Sequence, residues 1–462
     1  MRDDYVKRGA MSRFSGYRIR RKKWPIVTLL ALLCIVFAGT FAALAREKQV
    51  SEETRPAGQV AEDTSPTPVA SPEATPTPVP GSNLSAGAFG LWDPTATPTP
   101  TVYIPPGEEI WMADWEDKRT PVVSKGIYVS SKFTVNLPND TQRIAAFDEL
   151  LELIKRTELN TMVIDVKYDS GAILYDFDSE LIHKYGTVVE KIHFIPEYIQ
   201  KLHEAGVYVI ARLVCFKDHR LAQARPDLAL YYNSGKMYVD DSGSYWISPY
   251  KQEAWDYIAE VGKQCAKIGF DEINLDYVRF PTYKVSNVNW GPESATVSKT
   301  EAITKGVRFL CETLRQENVY ISADVYGIVM SSQLDMKSVG QDFREMTYYL
   351  DYICPMVYPS HYDKSWVTTG DWPDKHPYEV ITKSLGYARK TLDSIPVYKH
   401  HADVRPWLQD FTADYLGKDR YMTYDADAVL AEIKAVYDTG FTGWLLWNAK
   451  GIFTEDALQK SE

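Results

Sequence analysis

Apolar and polar residues in the body of the chain follow two alternating rhythms. Short runs rich in β-branched and aromatic residues recur at 126–130, 161–167, 207–213, 271–276, 319–324, 352–358, 403–408 and 442–447. Between them, segments such as 143–156, 195–205, 251–267, 301–316, 376–392 and 427–439 carry apolar residues three and four apart, the spacing of a helix with one buried stripe. Strand alternating with helix predicts a parallel sheet. Eight such runs predict a (β/α)8 barrel of the α/β class, with functional groups at the C-terminal strand ends. A doubly wound open sheet is the competing architecture, and the strand number argues against it.

The first hundred residues follow neither rhythm. Trp24 to Ala45 is a run of 22 residues without a charge, preceded by Arg20-Arg21-Lys22-Lys23. That length spans a bilayer as a helix, and the basic cluster places its N-terminal side in the cytoplasm. A cleaved signal peptide is the alternative, since Ala43-Leu44-Ala45 has the form of a cleavage site. From Arg46 to Pro106 the composition shifts to Thr, Pro, Ala, Ser and Glu, which cannot bury enough apolar surface to fold and favours an extended stalk. The expected organisation is a basic tail at 1–23, a transmembrane signal anchor at 24–45, a disordered linker at 46–106 and a barrel domain at 107–462, outside a cell membrane.

Charge narrows the ligand. The chain carries −11 overall, yet residues 1–23 carry +7, leaving −18 on the rest. So acidic a body argues against nucleic acid or another polyanion, because phosphate binding needs clustered Lys and Arg. The five cysteines, Cys34, Cys215, Cys265, Cys311 and Cys354, form no CxxC or Cys/His cluster, and those in the body are expected to be buried free thiols. No Gly-rich phosphate loop follows any strand, so no nucleotide cofactor is expected. The histidines form no HExxH pair, and the only metal option left is an Asp/Glu/Asn cation site of irregular spacing.

The segment from Gly269 to Pro281, GFDEINLDYVRFP, concentrates the candidate chemistry. A glycine closes a helical pattern, a strand follows, and Pro281 forbids further pairing. Alternation puts Glu272, Asn274 and Asp276 on one face. Read together, the strand ends collect Asp165, Lys167 and Asp169, then Arg212, Asp276, Arg279, Asp324, Tyr358, Gln409 and Trp447.

Burying such charges is costly unless they pair or have a task. Cleavage of a glycosidic bond needs one protonated and one ionised carboxyl group flanking the anomeric carbon. Asp276 is expected as nucleophile or base and Asp324 as proton donor, with the reverse assignment, or Asp165 or Asp169 in place of either, as alternatives. Arg279 or Arg212 would hold Asp276 ionised. Tyr358, Trp407, Trp447 and Trp246 offer flat faces for sugar rings, and Asp165, Lys167, Arg212, Arg279 and Gln409 complete the expected substrate-binding set.

These residues carry a resemblance. Lys125 to Tyr128, Val163 to Lys167 with Asp169-Ser170-Gly171, Ile210 to Arg212 with Phe216-Lys217-Asp218, Ala224 to Ala229, Gly269 to Pro281 and Gly443 to Asn448 resemble the putative glycosyl hydrolase domain family over roughly residues 122–450. The resemblance implies a (β/α)8 barrel of the glycosidase type in a bacterial, surface-exposed setting. Its matching residues are Asp165, Lys167, Arg212, Asp276 and Arg279. Where the family leads one to expect Gln-Phe-Asp, this chain has Asn274-Leu275-Asp276, a departure expected to affect only neighbouring packing.

The expected function is therefore a membrane-anchored extracellular glycoside hydrolase acting on a cell-surface or cell-wall polysaccharide, with no cofactor and no obligate protein partner. The competing readings are a non-catalytic glycan-binding or wall-organising barrel, and a polysaccharide lyase or transglycosylase.

Overall fold

The computed structural model describes residues 122–189 and 192–459. The expected tail, membrane segment and linker, together with residues 107–121 of the expected barrel domain, lie outside the described residues. Among those described, no helix is long and apolar enough to cross a membrane.

Eight parallel staves close into a barrel. They are β1 (Lys125–Val129), β2 (Thr161–Lys167), β3 (Tyr208–Val214), β4 (Glu272–Asp276), β5 (Tyr320–Tyr326), β6 (Tyr352–Met356), an interrupted β7 (Asp403–Val404 and Trp407–Gln409) and β8 (Trp444–Trp447). Closure comes from β8, which pairs with β1 on one side and β7 on the other, while Trp407 of β7 also pairs with Met356 of β6. The break in β7 falls at Arg405-Pro406, where proline has no N–H to give to the ladder.

The predicted helices are present as Asp140–Arg156, Ile195–Glu204, Gln252–Lys267, Lys299–Leu314, Pro377–Asp393 and Ala426–Asp438. Their starts are set by side chains that satisfy an otherwise unpaired N–H. Asn139 accepts from Gln142 N, Ser298 from Glu301 N and Asp425 from Ala428 N. The helix before β4 ends at Gly269, whose φ of +106° is a backbone state that side-chain-bearing residues rarely adopt.

Strand parity divides the apolar residues into two separate cores. Met162, Ile164, Ala211, Leu213, Ile273 and Ile321 face outward and pack beneath the helices. Val163, Ile210, Tyr320, Tyr352, Cys354 and Leu445 belong to a second cluster inside the barrel, with Tyr128, Tyr358 and Trp407. Truncating a buried residue of the outer layer such as Ile273 to alanine would cost about 2–5 kcal/mol. Cys215, Cys265, Cys311 and Cys354 are free and buried.

The inner face is polar as well as aromatic. Near the N-terminal end of the barrel Glu272 accepts from Arg405 Nη1 at 3.1 Å and from Arg405 Nη2, and also from Ser322 Oγ at 2.5 Å and Tyr208 Oη at 2.9 Å. Glu272 thus spends its charge on a structural pair, two periods of the alternation below Asp276. At the other end, long loops after β3 and β4 meet in a short antiparallel ribbon, Tyr231–Tyr232 with Val288–Asn289. These loops build up the rim around the C-terminal strand ends.

Candidate active site

A cavity of about 850 Å³ opens at the C-terminal ends of the strands, lined among others by Asp165, Asp169, Arg212, Asp276, Arg279 and Asp324. Its walls are largely aromatic, with Tyr128, Tyr277, Tyr326, Tyr358, Trp366, Trp407 and Trp447 among the lining residues.

Arg212 on β3 organises the carboxylates. It donates to Asp276 Oδ2 through Nε at 3.0 Å and through Nη2, and to Asp165 Oδ1 through Nη1 at 2.6 Å. Register explains why it reaches both, since Arg212 lies opposite Asp165 on β2 and opposite Asn274, two residues before Asp276, on β4. Burial alone would make the guanidinium easier to deprotonate, but Asp276 and Asp165 reverse that and carry its pKa well above the ordinary arginine value. Asp276 gains a third bond, from Tyr277 N to Oδ1 at 2.5 Å. Tyr277 adopts φ +51°, an uncommon state for a large side chain and one that costs on the order of 1 kcal/mol. The chain accepts this strain immediately after Asp276, where the strand must turn away from the barrel.

Asp324 on β5 stands in the opposite environment. It is fully buried, and both of its hydrogen bonds fall on Oδ1, from Asn274 Nδ2 at 2.9 Å and from Trp407 Nε1 at 2.8 Å. Burial, followed by the negative charge of Asp276, pushes this carboxyl up to about 8, against the pull of those two bonds and of Arg212. Asp324, without a cation of its own, is thus driven towards its protonated form beside Asp276, which has cationic and N–H partners.

The other aspartates differ from this pair. Asp165 has both oxygens engaged, one by Arg212 and the other by the Tyr128 hydroxyl at 2.5 Å. Tyr128 in turn stacks on Trp447, with ring centres 4.2 Å apart. Asp169 sits at the mouth with its side chain half exposed, 3.9 Å from Arg212 and 3.6 Å from Lys217.

The structure brings Asp165, Arg212, Asp276, Arg279, Asp324, Tyr358, Trp407 and Trp447 to one cavity. Three expected residues are placed elsewhere. Lys167 is buried outside the cavity lining, where it pairs with Asp218 at 2.8 Å and donates to the Val214 carbonyl. A register shift between Asp165 and Lys167 breaks the strand alternation that would have put both on one face. Gly171 belongs to the same structural unit: at its φ of +78° an added Cβ would land 1.7 Å from Asp218 Oδ1. Gln409 is buried beneath the rim, donating to Asp374 Oδ1 at 2.8 Å and accepting from Ser360 N at 3.2 Å. Trp246 is also outside the lining, its Nε1 bonded to Asp240 at 2.9 Å.

Of the two arginines expected beside Asp276, Arg212 is its partner, whereas Arg279 forms no ion pair among the described residues. One further expectation is corrected. The Asn274 departure reaches beyond packing, because its amide binds Asp324 directly. Tyr128 was missed as a site residue, although it ends the first strand motif and its parity faces the barrel interior. Among the described residues, no group of three or more His, Cys, Asp or Glu is placed to hold a metal ion.

The family described as "Putative glycosyl hydrolase domain" matches residues 126–453, the whole span from β1 past β8. The chain belongs to this family. No curated protein matches it. Among solved structures, a hypothetical protein from Ruminiclostridium thermocellum ATCC 27405 is 30% identical, over 43% of this chain and 97% of that one, with a TM-score of 0.38. The PgaB (BpsB) glycoside hydrolase domain from Bordetella bronchiseptica is 14% identical over 74% of this chain and 100% of that one, with a TM-score of 0.51, and shares the fold. The α-galactosidase TtGalA from Thermus thermophilus is 14% identical over 73% of this chain and 61% of that one, with a TM-score of 0.44. The cavity at the strand ends therefore belongs to a glycosyl hydrolase-like barrel.

Proposed function

We propose that this chain is a membrane-anchored, extracellular glycoside hydrolase that cleaves a cell-surface or cell-wall polysaccharide. The observation that carries the reading is the pairing in one cavity of Asp324, its carboxyl pushed up to about 8, with Asp276, tied to a buried arginine. Glycosidic cleavage requires such a division, and the aromatic walls supply flat apolar faces for sugar rings.

In the proposed reaction Asp324 gives its proton to the glycosidic oxygen as the bond to the anomeric carbon breaks. Asp276 stabilises the positive charge developing at that carbon, and either attacks it or activates the water that does. Arg212 and the Tyr277 N–H fix Asp276 in place, and Asp165 holds Arg212 from its other side. Support for the anchor is the uncharged run Trp24 to Ala45 behind a basic cluster, followed by a Thr/Pro-rich stretch long enough to hold the barrel away from a membrane.

The test is release of reducing ends from a panel of bacterial cell-surface glycans by the full-length chain in detergent. Hydrolysis by the wild type, falling by about 10³-fold or more in both Asp276→Asn and Asp324→Asn, is the expected result. Binding without turnover, unchanged by the two substitutions together, would replace the hydrolase with a glycan-binding barrel. Elimination or transfer products would replace it with a lyase or transglycosylase.

A further inference from the structure

Arg279 is buried to the same degree as the other interior cations but lacks what each of them has. Arg212 holds Asp165 and Asp276, Lys167 holds Asp218, and Arg405 holds Glu272. Arg279 is 6% exposed, and among the described residues no carboxylate lies within ion-pair distance of it. Its side chain makes one hydrogen bond, from Nη1 to the Phe280 carbonyl at 3.0 Å. Three rings confine the guanidinium instead, with centres at 4.5 Å for Tyr326 and 5.0 Å each for Trp246 and Tyr277.

The aromatic faces offset part of the cost of burying this charge, and they hold the group still. They accept no conventional hydrogen bond, so one carbonyl serves a fork of five N–H groups. Arg279 also lines the cavity that contains Asp276 and Asp324. The other arginine of that lining, Arg212, is already saturated by two carboxylates.

Resting on the glycosidase reading above, we propose that Arg279 is the receptor for an anionic group on the saccharide, a carboxylate or a phosphate that completes the missing ion pair. A rigid guanidinium matches either group through two parallel N–H···O bonds. The acidic body of the chain sets a limit on this ligand, since the charge of −18 left outside residues 1–23 repels a densely charged polymer. The substrate is therefore a glycan that brings one anionic substituent to this subsite along an otherwise sparsely charged stretch.

The experiment is a tryptophan-fluorescence titration of the full-length chain in detergent with glucose, glucuronate and glucose 6-phosphate, using the tryptophans of the cavity wall as reporters. Wild type is expected to bind at least one of the two anionic sugars about tenfold more tightly than glucose, and the one preferred separates carboxylate from phosphate. Arg279→Gln should abolish the preference and Arg279→Lys should keep part of it, with thermal unfolding followed alongside. Equal affinity of wild type for all three sugars, including no measurable binding of any, overturns the proposal whatever the variants do. A preference that survives in folded Arg279→Gln overturns it as well. Because the titration reads binding without turnover, cleavage of a neutral glycan with no anionic preference would remove only this receptor. An Arg279-dependent preference with no cleavage of any glycan would instead remove the hydrolase reading.

Discussion

Asn274 donates to Asp324 across the β4–β5 ladder at 2.9 Å, using the same amide nitrogen that reaches Ser322 Oγ at 3.0 Å. Ser322 donates its own hydroxyl hydrogen bond to Glu272, which is held by Arg405. A polar column therefore rises through the barrel from a structural ion pair to the candidate acid. Trp407 closes the column from β7. Its effect is to place donors on one oxygen of Asp324 while bringing it no cation, so that burial decides its protonation.

Loss of the Trp407 bond should be visible as a shift in pH dependence. That bond favours the ionised carboxylate, so Trp407→Phe should raise the pKa of Asp324 further. The alkaline limb of the rate profile, set by loss of the acid's proton, is expected to move to higher pH by about one unit, the scale of a single hydrogen bond. A profile that moves down or stays fixed would separate Trp407 from the titration.

Asp324 should also cost the fold stability near neutral pH. Its folded pKa of about 8 lies above its unfolded value, so across that window the folded chain keeps a proton that the unfolded chain has released. Stability is therefore full at acidic pH and falls as pH rises towards 8. Asn can accept the same two bonds on its Oδ1 and has no charge to lose. Urea unfolding of Asp324→Asn is expected to match wild type near pH 4 and exceed it by roughly a few kcal/mol near pH 8.

Arg212 is expected to be intolerant even of lysine. A methionine in its place leaves Asp165 and Asp276 buried without a cation, which should destabilise the fold by about 3–5 kcal/mol. Lysine keeps the charge but cannot present a planar fork to two carboxylates, so Arg212→Lys should fold and lose about 10²-fold or more in kcat. Unfolding curves and kcat measured on both variants check the two halves of this expectation separately.

Much of this architecture is legible in the sequence because barrel strands and amphipathic helices obey simple periods. The run TMVIDVK appears as β2 with the expected bounds, and the Gly269 stop and the polar face of Glu272, Asn274 and Asp276 follow from chain geometry alone. What periodicity cannot give is the neighbour across the barrel. Arg279 follows Asp276 closely in sequence, yet the strained turn at Tyr277 leads it to a ring cage, while Arg212 arrives from the adjacent strand. Lys167 was misplaced because one register irregularity defeats a period-two argument. Gln409 was misplaced because the loops that bury it come from distant parts of the chain.

Asp324 keeps its proton through neutral pH beside Asp276, a carboxyl bound by the Arg212 guanidinium. Infrared difference spectroscopy of the full-length chain, titrated from acid to alkaline pH without substrate, tests this directly. A protonated carboxyl component is expected that persists through neutral pH, titrates near 8 and disappears in Asp324→Asn. In Asp276→Asn it should remain but titrate lower, because the neighbouring charge is gone. Burial also pushes Glu432 up, so the Asp324 signal is the component that wild type has and Asp324→Asn lacks. Loss of that component near the ordinary carboxylate value of about 4, or identical neutral-pH spectra of wild type and Asp324→Asn, would show that Asp324 does not hold this proton.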